Sequence, residues 1–361
     1  MDCAKLMSYN VGMSPEILLR TVLGHPLTLE CCFSCGKELQ AENRSKEDVI
    51  PLWLQRAFGL GDMELVLPNG TFIRYRQLKI PCCKNCNNQH LAVIEKRVST
   101  AVSSGFEAVK KLPDAVLYQW LAKIFLGLLY KDLFLISDRA GKASASTIIT
   151  RESFENYKIL WLWMYQKHCG SRPGFCPGSV FVYRCGVPSE QIHQFDLMDD
   201  FFSGGLAIRM GEVGMIADFL ENGVHKKSMW PRLRRYRKLR LSPIQFKELA
   251  VRTFYGARLL EQETDIQFFK NRDDRLAFVI NWRSTIDGAS IFREWKDDEF
   301  AVLLSHYLNL RYNFVYQPPN MVRSWLHDRS GRLVERPAVP DHIPPKDLRM
   351  LDSLIRNIEA Q

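Results

Sequence analysis

Six cysteines in two short clusters are the residues whose type and spacing speak first of chemistry. They form Cys31-Cys32-Phe33-Ser34-Cys35 and Cys82-Cys83-Lys84-Asn85-Cys86. Each cluster contains a C-x-x-C, pairing Cys32 with Cys35 and Cys83 with Cys86. Two intervening residues let a tight turn aim two thiolates at one ion, and two such knuckles complete a tetrahedral four-cysteine zinc site. Gly36 supplies backbone freedom directly after the first knuckle. The 47 residues between Cys35 and Cys83 exceed the usual ribbon spacing. Closure cost rises only slowly with loop length, so such an insertion is tolerable. Cys31 and Cys82 leave C-x-x-x-C spacing and rank behind the four. Cys3, Cys169, Cys176 and Cys185 show no such pairing and read as ordinary thiols.

The segments around the knuckles must position anything else that reacts. Ser45-Lys46-Glu47-Asp48-Val49-Ile50-Pro51 places two adjacent carboxylates before an apolar turn. This pair also reads as a solvated acidic couple capping a helix after Pro51. Met63–Leu67 and Thr71–Tyr75 flank Pro68-Asn69-Gly70, and Asn-Gly between β-formers predicts a hairpin. Asn87-Asn88 follows the second knuckle, and a helix is expected from about Gln89 to Val98, carrying His90 and Glu95.

The order C-x-x-C, an acidic residue, Asp48-Val49-Ile50-Pro51, C-x-x-C-Asn and a helix with a carboxylate resembles the zinc-ribbon branch of the HNH (His-Me finger) nucleases. The resemblance covers about residues 28 to 100. It implies a ββα-like module in which a base activates water for attack on a phosphodiester and a divalent ion stabilises the phosphate charge. Carried over, Glu47 and Glu95 become ligands of a catalytic magnesium or manganese ion. Asn87 becomes the orienting asparagine, with Gln77 a competing match. The family's general-base histidine is replaced by Asp48. An ordinary aspartate, with a pKa near ~3.9, is a much weaker base than imidazole at neutral pH. Asp48 is then a further metal ligand, or His90 acts as the base, or catalysis has been lost while zinc and DNA binding remain.

A second feature is the run Lys226 to Arg240, KKSMWPRLRRYRKLR. Eight of its fifteen residues are basic, namely Lys226, Lys227, Arg232, Arg234, Arg235, Arg237, Lys238 and Arg240, and none is acidic. The chain's formal charge is +9, so all other residues together carry only +1. Trp230 and Tyr236 lie within the run. This density suits phosphate contacts combined with base stacking. An acidic protein partner is the other reading. The run shows no amphipathic period in sequence, which disfavours a membrane surface.

The remaining segments supply a scaffold. Leu112–Ile136 is apolar all round, begins at Pro113-Asp114 and predicts a central core helix. Its charges at Asp114, Lys123, Lys131 and Asp132 disfavour a membrane span. A second aromatic helix is expected over Glu152–Lys167, its Trp161, Trp163 and Tyr165 read as core. Gly170-Ser171-Arg172-Pro173-Gly174 marks a boundary. Ser179–Arg184 and Gly205–Ile216 read as antiparallel strands, with a turn at Pro188–Gln191. Helices are predicted over Pro243 to about Glu263, Asp297–Leu310 and Lys346–Glu359. Ser242 and Gln245 form a capping box for the first of these.

The sequence therefore describes an α+β protein. It divides into an HNH-like zinc-ribbon module (1–110), a helical connector (111–170) and a C-terminal α+β domain (171–361) of unassigned type. Its 361 residues, 46% hydrophobic and 25% charged, fit a folded chain rather than a disordered or fibrous one. No Walker-type loop, dinucleotide fingerprint, nucleophile elbow or H-E-x-x-H is present. With no secretory leader in view, the cytoplasm is the expected compartment, where paired cysteines hold metal more often than disulfides. The expected function is a metal-dependent endonuclease, DNA preferred; by family analogy such proteins serve defence or mobile elements. The alternative is a non-catalytic zinc-containing nucleic-acid-binding or adaptor protein. Oligomeric state has no mark in the sequence.

Overall fold

The computed structural model describes residues 27–137, 146–155, 157, 160–161, 176, 178–221, 223–261, 265–270, 276–281, 292–319 and 321–335. Its elements form two compact units, one of residues 1–97, 122–174 and 265–281, the other of residues 98–121, 175–264 and 282–361. These two units interleave along the chain. Packing, not adjacency in sequence, decides membership. The expected helix over Lys346–Glu359, the Gly170–Gly174 boundary, Trp163, Tyr165, Cys3 and Cys169 lie outside the described residues.

In the first unit, strand β1 (Arg44–Asp48) pairs antiparallel with a later strand, Lys79–Cys83, in the register Ser45 to Cys82, Glu47 to Ile80 and Asp48 to Lys79. Between them come helix α1 (Leu52–Ala57) and a hairpin of β2 (Glu64–Val66) with β3 (Phe72–Arg74). The Asn-Gly turn closes that hairpin as expected, Leu67 N–H donating to Thr71 C=O at 2.9 Å. The acidic pair does not cap α1: Pro51 holds the cap position and no side chain bonds there. The later strand is β4, and the chain leaves it through a wide-turned helix at Cys86–Leu91 that runs into α2 (Ala92–Ser103). Helical structure thus begins three residues before the expected Gln89 and ends five after Val98.

Next come α3 (Phe106–Lys110) and the core helix α4 (Asp114–Asp132). Side chains all round α4 are buried, among them Trp120, Leu121, Ile124 and Phe125. Gly127 permits a close approach in the first unit. A Cβ there would lie 3.0 Å from Val49 and 3.3 Å from Ile80, so even a methyl group would force these side chains to give by a few tenths of an ångström. Of the helix expected over Glu152–Lys167, the described residues show its start at α5 (Arg151–Glu155); Trp161 is buried as expected, its indole N–H donating to Phe33 C=O at 2.5 Å.

The second unit is built on an antiparallel sheet of order β5-β8-β7-β6: β5 (Ser179–Arg184), β6 (Phe195–Asp200), β7 (Gly205–Met210) and β8 (Val213–Asp218). Strand β6, FDLMDD, was absent from the sequence reading because three aspartates mask its β-character. Helix α6 (Val224–Leu233) continues into a tight 3-10 turn at Arg234–Lys238. Helix α7 (Pro243–Arg258) opens on the predicted box, Ser242 Oγ accepting from Gln245 N–H at 3.4 Å while Gln245 Oε1 accepts from Ser242 N–H at 3.0 Å. It ends five residues before Glu263. Its Phe246, Leu249 and Phe254 join Phe181, Tyr183 and Ile216 of the sheet in one core. Helix α8 (Asp297–Leu308) adds Phe300, Ala301 and Leu304 to the same core and ends at left-handed Asn309. The class is α+β.

Candidate metal centre and nucleic-acid interface

The knuckles close as the spacing predicted. The sulfurs of Cys32, Cys35, Cys83 and Cys86 all lie within 4.8 Å of one another, and the backbone N–H of Cys86 donates to Cys83 Sγ at 3.4 Å. Gly36, at φ 70°, turns the first knuckle back so that its N–H reaches Cys32 C=O at 2.8 Å. Hydrogen bonds from Cys35 and then Cys82, Cys83 and Cys86 hold Cys32 far below an ordinary thiol, while donating to Cys32, and then burial, push Cys83 and Cys86 up. Four sulfurs this close cannot all be thiolates without a dication between them, and the donor set suits tetrahedral zinc. These four cysteines would hold it and the ion would cross-link β4 to the segment before β1. Cys82 stays outside the four, although its sulfur lies 3.8 Å from that of Cys32. Cys31 accepts from Thr28 Oγ1 at 3.4 Å instead.

Glu47 and Glu95 also meet, but at a lysine. Lys123 of α4 places its ammonium 2.5 Å from Glu95 Oε1 and against Glu47 Oε1, and donates to the Asp48 backbone carbonyl at 3.1 Å. Lys123 is 1% exposed and Glu47 5%. Burial pushes the Glu47 carboxyl above its ordinary range and the Lys123 ammonium draws it back. For Lys123, burial alone would lower the pKa, yet Glu47 and Glu95 more than offset this and leave it raised. A charge this deep persists only when paired and hydrogen-bonded, as here. A divalent catalytic ion does not fit: the carboxylates assigned to it already neutralise an internal cation.

The other residues carried over from the resemblance do not join this point. Asp48 follows Glu47 on a strand, so its side chain leaves the opposite face and pairs with Lys79 Nζ, its cross-strand neighbour, at 3.0 Å. Asn87 donates to Ser45 Oγ at 2.9 Å and to Lys46 C=O at 3.0 Å, which orients β1 rather than a base. His90 receives the Asn85 amide on Nε2 at 3.1 Å. Gln77 accepts from Arg74 N–H at 3.3 Å, within its own turn.

The basic run of the second unit is helical from Lys226 to Lys238. Leu233, Tyr236 and Leu239 are buried, so the run does have a three-residue amphipathic period, invisible until the 3-10 turn is known. The period leaves Arg232, Arg234, Arg235, Arg237, Lys238 and Arg240 exposed as a ridge. Lys227 is exposed on α6, whereas Lys226 is tied to Asp114. The two aromatic residues do not stand free for stacking. Tyr236 is 5% exposed and its hydroxyl meets His327 Nε2 at 3.0 Å. Trp230 is half-buried, stacked 6.0 Å from Phe181 with the Arg237 guanidinium 4.6 Å over its ring.

No protein-family model, curated protein or solved structure matches the chain.

Sequence reasoning missed Lys123 as a site residue, noting it only as a charge unsuited to a bilayer. Its signal was there: a single lysine mid-way along a helix apolar on every face must have buried carboxylates to meet. No helix among the described residues is long and apolar enough to cross a membrane.

Proposed function

We propose that the chain is a zinc-scaffolded nucleic-acid-binding protein whose HNH-like module does not cut. The observation that carries this reading is the exposed ridge of six arginine and lysine side chains, held in place by buried Leu233, Tyr236 and Leu239. Cations pinned at helical spacing suit repeated phosphate contacts, which supply most sequence-independent affinity for DNA. With Tyr236 buried and Trp230 sandwiched, recognition runs through the phosphate backbone rather than through stacked bases. Zinc, held by Cys32, Cys35, Cys83 and Cys86, fixes the first unit and takes no part in chemistry.

The second reading, a DNA endonuclease using magnesium or manganese, is favoured by the meeting of Glu47 with Glu95 at one point. Lys123 at that point and Asp48 on the opposite strand face weigh against it. Gel-shift titration of purified, zinc-loaded protein with short duplex DNA at two salt concentrations tests the binding claim. Incubation of supercoiled plasmid with magnesium or manganese tests the other. Salt-sensitive binding without nicking supports the proposal. Nicking abolished by Glu47→Gln replaces it with the nuclease reading. Loss of both activities sinks both readings.

A further inference from the structure

A cavity of about 860 Å³ opens in the second unit beside the basic ridge. Four arginines line it, Arg235, Arg252, Arg323 and Arg329, against two aspartates, Asp297 and Asp328. Its charge is more one-sided than that count. Asp328 is held by Arg332 at 3.1 Å, and Arg252 by Glu248 at 2.8 Å. Arg323 and Arg329 have no carboxylate partner among the described residues. Arg323 donates to Phe314 C=O at 3.1 Å and lies 4.2 Å over the Phe314 ring, which fixes its plane without neutralising it.

The wall is built in advance. Glu248 of α7, fully buried, receives the backbone N–H groups of Trp325 at 2.6 Å and Leu326 at 3.1 Å and the hydroxyl of Ser324 at 2.6 Å. Gln245 clasps the same loop through the carbonyls of Trp325 at 2.9 Å and Val334 at 2.7 Å. His327 sits in this wall with Arg235 on its Nε2. Burial, then Arg252 and Arg235, push its pKa down to about 4, so it is neutral and reports the cationic surroundings. Met321 and Val322 supply an apolar side. Three held guanidinium groups and the exposed Arg329 around an open cavity of nucleotide size are the chemistry that recognises phosphate.

We infer that this cavity is a binding site for the phosphate monoester of a nucleotide, taken from the end of a nucleic-acid strand lying along the ridge. Arg235 belongs to both ridge and cavity, so a strand on the ridge has its terminus within reach. Arg323 and Arg329 hold the terminal phosphate, and the Met321–Val322 side accepts the sugar and base. This rests on the binding function proposed above and names the part of the strand that is read.

Fluorescence anisotropy with a single-stranded oligonucleotide, labelled at its 3′ end and bearing either a 5′-phosphate or a 5′-hydroxyl, tests it on the full, zinc-loaded chain. The phosphate is expected to tighten binding about tenfold, as befits charge-assisted hydrogen bonds. Arg329→Gln should erase the difference; among the described residues its exposed side chain makes no hydrogen bond or ion pair. Arg323→Gln should do the same, with unfolding curves checking that the loop survives. Equilibrium dialysis of AMP separates the two sources of such a phosphate. Arg329-dependent AMP binding without discrimination between strand ends makes the ligand a free mononucleotide and overturns the strand-end assignment. Equal binding of both strands with no retention of AMP overturns the site altogether. Failure of the 5′-hydroxyl strand to bind at low salt instead removes the ridge proposal, whatever the cavity does.

Discussion

Lys123 and Glu95 share a 2.5 Å hydrogen bond, and the same ammonium meets the buried carboxylate of Glu47. One cation between two carboxylates leaves the cluster formally one charge negative, with the Asp48 carbonyl as a further acceptor at 3.1 Å. The dependence is strongest for Lys123 and Glu47, which are buried, whereas the Glu95 carboxylate keeps partial access to water.

Removing Lys123 should therefore be among the most damaging single changes in the first unit. Lys123→Met strands two carboxylates and is expected to cost about 3–5 kcal/mol. The triple variant Lys123→Met, Glu47→Gln, Glu95→Gln removes every charge and should recover more than half of that loss. Urea unfolding of the zinc-loaded protein measures both. A Lys123→Met cost no larger than that of a surface substitution, about 0.5 kcal/mol, would contradict the pairing of Lys123 with these carboxylates.

The zinc claim separates two neighbouring thiols. Cys83→Ser should lose the metal and Cys82→Ser should keep it, since only Cys83 belongs to the four-sulfur cluster. Elemental analysis of protein purified under reducing conditions is expected to return one zinc per chain, with a chelator lowering the melting temperature. A wild-type preparation with no zinc, or a Cys82→Ser protein without it, would contradict the assignment.

For the ridge, phosphate contacts predict a measurable salt law. Each lost contact should reduce the slope of log affinity against log salt by about 0.9 on duplex DNA. Arg234→Gln and Lys238→Gln should each do this while leaving the melting temperature nearly unchanged. Tyr236→Ala should behave differently and lower stability by about 3 kcal/mol, because that ring is core. A Tyr236→Ala protein that is stable yet unable to bind would restore base stacking as the mode of recognition.

Glu221 gives a pH prediction. It is 3% exposed, accepts the His225 N–H at 2.6 Å, and burial, then the nearby Asp218, push its pKa from 4.5 to about 7. Between those values the native protein keeps a proton that the unfolded chain has released, so stability falls as pH rises through the window. The loss attributable to Glu221 is at most about 3 kcal/mol. His225, raised beside Asp218 despite its burial, adds a loss of the same sign at higher pH. Glu221→Gln should flatten the stability curve between about pH 5 and pH 7. Identical curves for wild type and variant would refute this.

Much of the fold could be read locally. Two-residue knuckle spacing, the Asn-Gly turn, the Ser242–Gln245 box and the all-apolar α4 are signals carried within a few residues, and each appears where expected. Strand β6 was missed because its three aspartates argue against a strand until its pairing with β7 is known. The candidate site divides the same way. Placing four cysteines needs only knuckle geometry. That Glu47 and Glu95 meet at Lys123 depends on how α4 packs over β1 and α2, and nothing near residue 123 names its partners. The direction of Asp48 follows from strand alternation, but only once residues 44–48 are known to be a strand. The period of the ridge was hidden for a related reason. A strict repeat of three stays on one face in a 3-10 turn but drifts around an α-helix, and the sequence around Tyr236 suggests nothing but charge.

The Glu47–Lys123–Glu95 cluster also sets an order of assembly. The knuckles and the β1–β4 pair are complete once residue 86 is made, and zinc can close them from then on. Glu47 cannot leave water until α4 arrives with its ammonium, so a nascent chain halted before residue 123 keeps that carboxylate hydrated and the ribbon strands uncovered. The arrival of a single lysine marks the point at which that interior can close.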